Sequence, residues 1–125
     1  MPTFIAGVID KLNRNNRIYP KEVMEKAISE YRKQIDEKRS LGELDPQPEY
    51  SIFLTNASHI VTDLRIEENN LVADIDILTT PRGIELQRRL DSNSIEFVTR
   101  GLGKFGKENT VTEYILISVD ARPKQ

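Results

Sequence analysis

Apolar residues recur along the chain at two spacings, and the switches between them mark the elements. The opening run Met1-Pro2-Thr3-Phe4-Ile5-Ala6-Gly7-Val8-Ile9 is apolar but short, lacks a basic leader and runs straight into Asp10-Lys11. It predicts a strand and not a signal peptide. After the Asn-rich turn segment Asn13 to Asn16 and Pro20, the residues Val23, Met24, Ala27, Ile28, Tyr31 and Ile35 fall on one helical face, with Lys21, Glu25, Glu30, Arg32 and Lys33 on the other. This predicts a long amphipathic helix that starts at Pro20 and ends near Arg39-Ser40, before the Gly and Pro punctuation of Leu41-Gly42-Glu43-Leu44-Asp45-Pro46-Gln47-Pro48.

The period then drops to two. Ile60, Thr62, Leu64 and Ile66 alternate with Val61, Asp63 and Arg65, and after Glu67-Glu68-Asn69-Asn70 the alternation resumes as Leu71, Ala73, Ile75 and Ile77, which predicts a hairpin with one buried and one wet face. Thr80-Pro81 reads as an N-cap with proline at the first helical position, opening a short helix through Ile84, Leu86 and Leu90 that the polar run Asp91 to Ser94 stops. Two more strands, Ile95 to Arg100 and Val111 to Val119, are predicted on either side of a Gly- and Lys-rich loop. The order of strand, helix, paired strands, helix and strands predicts an α+β domain, a mixed sheet or barrel flanked by helices. With 125 residues the chain is the size of one such domain, residues 1–125.

Composition narrows the function classes. The 18 basic and 20 acidic residues give a formal charge of −2, which supplies no electrostatic drive toward nucleic acid or an anionic membrane. No apolar run is long enough to span a bilayer. Without cysteine there is no disulfide framework, thiolate metal site or thiol nucleophile, and the absence suits an intracellular or virion setting. Trp is absent and other aromatics are few, so Ile, Leu and Val must supply most of the core.

Several patterns spell chemistry without the context for it. Gly101-Leu102-Gly103-Lys104-Phe105-Gly106 matches the letters of the dinucleotide fingerprint, yet a β-branched strand pattern follows where a helix is required, so a flexible hairpin loop is the better reading and no cofactor is expected. Asp74 and Asp76 share a strand face as a cation-binding pair would, but outward aspartates are what a half-exposed strand carries anyway, and no metal is expected. Asn56-Ala57-Ser58 is a sequon in spelling only. Arg14, Arg17, Lys21, Arg88 and Arg89 read as a solvated face before they read as an anion-binding patch. His59 is the sole histidine. Any serine-peptidase chemistry therefore has this one imidazole as its base.

Five segments in order resemble the prohead core protease family of tailed phages, which is similar to the herpesvirus assemblins: Asn13-Arg14-Asn15-Asn16-Arg17-Ile18-Tyr19-Pro20, Leu41-Gly42-Glu43-Leu44-Asp45, Ser58-His59-Ile60-Val61-Thr62-Asp63-Leu64, Leu78-Thr79-Thr80-Pro81-Arg82-Gly83 and Arg100-Gly101-Leu102-Gly103. The match is collinear and covers nearly the whole chain. It implies a mixed or antiparallel β-barrel-like sheet with flanking helices, and a serine nucleophile served by histidines. In the family the Gly-Glu-Leu segment continues through one residue to a catalytic histidine, a position held here by Pro46. The nucleophilic serine lies two residues before the arginine of Arg-Gly-Leu-Gly, a position held here by Val98. Thr99 carries a hydroxyl at the adjacent position, and His59 matches a second histidine of the family.

Valine has no atom that attacks a carbonyl, and proline has no side-chain group that takes a proton. The resemblance therefore implies a catalytically inactive member, a non-catalytic head protein whose vestigial site is Pro46, His59, Val98 and Thr99. Its implied partners are capsid, scaffold or prohead protease proteins, in the virion or prohead and in the host cytoplasm during assembly. It would serve as an inhibitor or assembly factor, or as a structural or decoration component, with oligomerisation left open. The alternative is an active maturation protease of serine/threonine type cleaving scaffold and capsid proteins through a His59–Thr99 dyad. Strand alternation opposes that dyad, since Thr99 should face away from the side that Val98 occupies.

Overall fold

The computed structural model describes residues 2–47 and 49–125; Met1, in the predicted first strand, and Pro48, in the punctuated run, lie outside it. The predicted elements form in the predicted order: β1 (Thr3–Val8), α1 (Lys21–Asp36), β3 (Ala57–Glu67), β4 (Asn70–Ile77), α2 (Pro81–Asp91), β5 (Ile95–Phe105) and β6 (Val111–Pro123), with an additional short strand β2 (Leu41–Glu43). All ladders are antiparallel. One sheet has the order β1-β4-β3-β2 and the other consists of β5 and β6. A parallel bridge from Leu44 to Ala121, with the Asp45 amide donating to the Ala121 carbonyl at 2.8 Å, carries β2 onto β6. The two sheets thus curl into one half-barrel with two helices, the expected α+β class.

Helix α1 buries Met24, Ala27, Ile28, Tyr31 and Ile35, as its periodicity predicts, and packs across β6 and β3. Pro20 precedes it and offers no capping side chain, so the Asp10 carboxylate accepts from the Lys21 amide at 2.8 Å. The helix stops at Asp36. Beyond it the Arg39 amide donates to the Gln34 carbonyl and the Lys38 amide to that of Ile35, with Lys38 at φ 58°, a Schellman closure made without glycine. Helix α2 begins as predicted: the Thr80 hydroxyl accepts from the Gly83 amide at 3.1 Å and donates to the Ala57 carbonyl at 2.9 Å.

The structure corrects three sequence readings. Within residues 60–66 of β3 the buried residues are Val61 and Leu64, three apart, because the register shifts between Val61 and Asp63 and moves the inward face by one residue. The predicted wet face of this strand therefore contributes Val61 to the core. The Gly101–Phe105 segment is not a loop. It continues β5 and stays paired with β6, with register shifts at Arg100/Gly101 and Lys104/Phe105, and the turn is made by residues 106–110. Finally, β2 was hidden inside the Gly/Pro-punctuated run, where three residues are too few to show a period. In β4 the inward set holds, with Leu71, Ala73 and Ile75 buried, but Val72 on the expected wet face is buried as well.

Candidate functional site

A cavity of about 700 Å³ opens over β5, and the connection after β2 forms one wall. Pro46, Val98 and Thr99 all border it. Two segments distant in sequence are brought together because β2 ends beside β6, which carries β5 on its other edge. The wall is held by Arg100. Its Nη1 donates to the carbonyls of Gln47, Glu49 and Ser51 at 3.2, 2.9 and 3.4 Å. Asp45 is fixed at the other end by Arg82 at 3.3 Å and Arg89 at 2.9 Å.

Beneath the cavity lies a buried charge network. Arg100 Nη2 donates to Glu43 Oε2 at 2.9 Å, and Arg100 Nε to Asp120 Oδ2 at 2.9 Å. Both carboxylates are fully buried. The remaining lone pairs are used: Glu43 accepts from the Phe53 amide and the Asn56 side chain, and Asp120 from the Glu43 amide and the Ser118 hydroxyl. Burial nevertheless pushes the Asp120 carboxyl above its usual range, against the pull of these donors and of Arg100. The Gly-Glu-Leu and Arg-Gly-Leu-Gly motifs thus meet through Glu43 and Arg100. Asn56, the sequon residue, is engaged in the same network.

His59 occupies a different place. It is fully buried and does not border the cavity. Its Nε2 donates to the Val119 carbonyl at 2.7 Å, which leaves Nδ1 to accept from the Ser58 hydroxyl at 2.7 Å. Its ring stands edge-on to Phe97, 5.4 Å between centroids. Burial lowers its pKa to about 4, with the Val119 carbonyl opposing, so the imidazole is neutral at ordinary pH. Gly42 lies against it: a Cβ there would fall 2.1 Å from Nε2 and 2.2 Å from the Val119 oxygen.

Thr99 is not joined to this imidazole. Its Oγ1 accepts from the Tyr114 hydroxyl at 3.3 Å, and Tyr114 stands edge-on to Tyr19. Both Val98 and Thr99 border the cavity, where strict alternation would have left only one on that side; alternation does keep their cross-strand partners apart, Asp120 for Val98 and Val119 for Thr99. The hydroxyl within reach of His59 is that of Ser58. That pair is closed from solvent, since both residues are at 0% exposure. A nucleophile must reach a substrate carbonyl, and this one faces only protein.

The other candidates are dispersed. Asp74 accepts from Thr3 at 2.6 Å and from Arg65 at 2.9 Å, while Asp76 is exposed, and no group of three acidic or histidine donors gathers among the described residues. Arg14 pairs with Glu96, Arg88 and Arg89 with Glu85, and Arg17 lies over the Phe105 ring at 5.0 Å, so the five basic residues form no single patch. Among the described residues no helix is long and apolar enough to cross a membrane. Sequence reasoning missed Glu43, Arg100, Asp120 and Ser118 as a functional unit. The signal was present in the two motifs, which had served only as landmarks.

A half-barrel whose strand-borne cavity joins the Gly-Glu-Leu and Arg-Gly-Leu-Gly motifs is the framework of a phage prohead protease. The family described as prohead core protein serine protease matches residues 3–121, and the chain belongs to it. The prohead core protein protease of Enterobacteria phage T4 is 29% identical over 113 residues, 85% of this chain and 53% of that protein, so the chain spans about half the length of this relative. The structure of the bacteriophage T4 capsid assembly protease superposes with a TM-score of 0.90 at 27% identity, covering 98% of this chain and 81% of that one.

Proposed function

We propose that this chain works in the phage head as a binding protein on the prohead protease scaffold and does not cut peptide bonds. One observation carries the reading. The cavity is bordered by proline and valine at the expected base and nucleophile positions, and the sole imidazole lies outside it with both ring nitrogens engaged. Losing one member of a catalytic triad costs several orders of magnitude in rate, and here two positions lack the needed atoms. Thr99 supplies a hydroxyl without a base. Ser58 supplies one with a base but no access.

The partners that follow are capsid, scaffold or prohead protease polypeptides. The protein caps or occupies the active protease or its substrates, or it stays as a minor head component. Binding needs no nucleophile, because an extended segment gains its affinity from backbone pairing and side-chain pockets. The test is incubation of the purified chain with capsid and scaffold polypeptides. No cleavage is expected; time-dependent cleavage abolished by Thr99→Ala, Ser58→Ala or His59→Ala would establish the active alternative. Quantification of the chain in proheads and mature particles separates the two binding roles: presence only in proheads marks an assembly factor, and a fixed copy number in mature heads a structural component.

A further inference from the structure

Beyond Arg100 the β5–β6 hairpin turns one face to the core and the other to water. Gly101 pairs with Leu116 and Gly103 with Tyr114, and the Leu116 and Tyr114 side chains are buried. The alternate pairs, Leu102 with Ile115 and Lys104 with Glu113, point the other way because strand side chains alternate. A strand face in water ordinarily carries polar residues. Here Ile115 is 62% exposed and Leu102 42%, directly opposite each other, so a cross-strand apolar pair stands uncovered. Beside it Lys104 and Glu113 form an exposed ion pair at 3.2 Å. Leu102 and the exposed Tyr50 also border the main cavity, so the apolar surface continues to its rim.

We propose that this hairpin face is the interface with a second copy of the chain, packed face to face about a twofold axis. The register selects that partner. The ladder runs without a shift from Gly101 to Lys104, so the two outward pairs form a rectangle, with Leu102 and Lys104 on one strand and Ile115 and Glu113 on the other. A twofold axis lying along the hairpin, midway between its strands, exchanges the two columns. It sets each Leu102 over Ile115 of the second copy and each Lys104 over Glu113 of the second copy. Apolar and charge complementarity are thus met by one operation. An isologous interface demands such self-matching, whereas an unrelated protein would have to supply both features by coincidence. Strand face on strand face is the packing of a sandwich, with layers about 10 Å apart. The proposal goes beyond the binding role above and holds whether or not the chain cuts peptide bonds.

Sedimentation velocity on the full chain between about 1 and 500 µM should show a monomer–dimer equilibrium with a dissociation constant of about 10–100 µM, as a small interface gives. Ile115→Asp should abolish the dimer and leave the melting temperature unchanged, since that side chain stands largely in water. Lys104→Glu and Glu113→Lys, each alone, place like charges across the axis and should weaken self-association about tenfold or more. Mixed one to one, the two variants should associate again, because one chain then carries only carboxylates at these positions and the other only ammonium groups. An ion pair lost within a chain is not repaired by mixing, so this rescue separates an interface from a merely structural bridge. A chain that stays monomeric to the top of that range, self-association indifferent to these substitutions, or a mixture no tighter than either variant overturns the interface. So does a monomer whose binding of capsid polypeptides is lost in Ile115→Asp, which would give the face to another protein.

Discussion

Replacing Gly42 with alanine tests how the motif glycine, the imidazole and β6 are tied together. The added methyl would sit 2.1 Å from His59 Nε2, 2.6 Å from its Cε1 and 2.2 Å from the Val119 oxygen, far inside contact distance on two sides. None of these atoms has room to retreat. The ring is fixed by Ser58, Val119 and Phe97, and the carbonyl belongs to a fully buried residue of a central strand. The methyl must therefore push β2 off β3 or break the His59–Val119 bond. Overpacking of this kind costs roughly 1–3 kcal/mol, and a buried N–H and carbonyl left unpaired cost about 1–3 kcal/mol. A loss of about 3–5 kcal/mol is expected, a large share of the roughly 5–15 kcal/mol that holds a domain together. Urea unfolding followed by circular dichroism measures it, and Gly7→Ala is the control, since its Cβ has only an ordinary contact at 4.0 Å. If Gly42→Ala costs less than about 1 kcal/mol with an unchanged urea slope, the close packing of this glycine on the histidine is not a constraint on the fold and the reasoning fails.

Three further outcomes follow from the same geometry. The unfolded chain protonates its imidazole near pH 6.5 and the folded chain only near 4, so stability contributed by the neutral ring above pH 6.5 is lost on acidification to about 4; the difference between wild type and His59→Gln across that window should reach about 3 kcal/mol, and parallel pH profiles would contradict it. Arg100→Met leaves Glu43 and Asp120 buried without their cation and frees the carbonyls of Gln47, Glu49 and Ser51; a loss of about 3–5 kcal/mol is expected, together with faster nicking by a non-specific protease at residues 47–51, and unchanged protease resistance there would refute the clamp. Lys38→Gly relieves the left-handed residue that closes α1 and should stabilise by about 0.5–1 kcal/mol in thermal melts, with a destabilised variant counting against it.

The elements with long, clean periods were legible from the chain. The α1 stripe of Met24, Ala27, Ile28, Tyr31 and Ile35 and the β4 set of Leu71, Ala73 and Ile75 lie where the pattern puts them, because one face of each meets the core. What escaped was set by pairing and not by pattern. The shift in β3 is visible only against β4, β2 is too short to have a period, and the glycines at 101 and 103 remain in β5 because Tyr114 and the Ile115 carbonyl press against that strand from its partner. The same distinction governs the site. Gly42, Glu43, Arg100 and Gly101 are motif residues, and each serves the scaffold. Gly42 allows a close approach to His59, Glu43 supplies a buried carboxylate, Arg100 is the cation that satisfies it, and Gly101 leaves room for the Tyr114 ring. Motifs of this kind keep the scaffold intact whether or not chemistry is performed on it. The resemblance could therefore announce the fold and family while the question of catalysis rests on two positions outside those motif contacts, Pro46 and Val98, which border the open cavity.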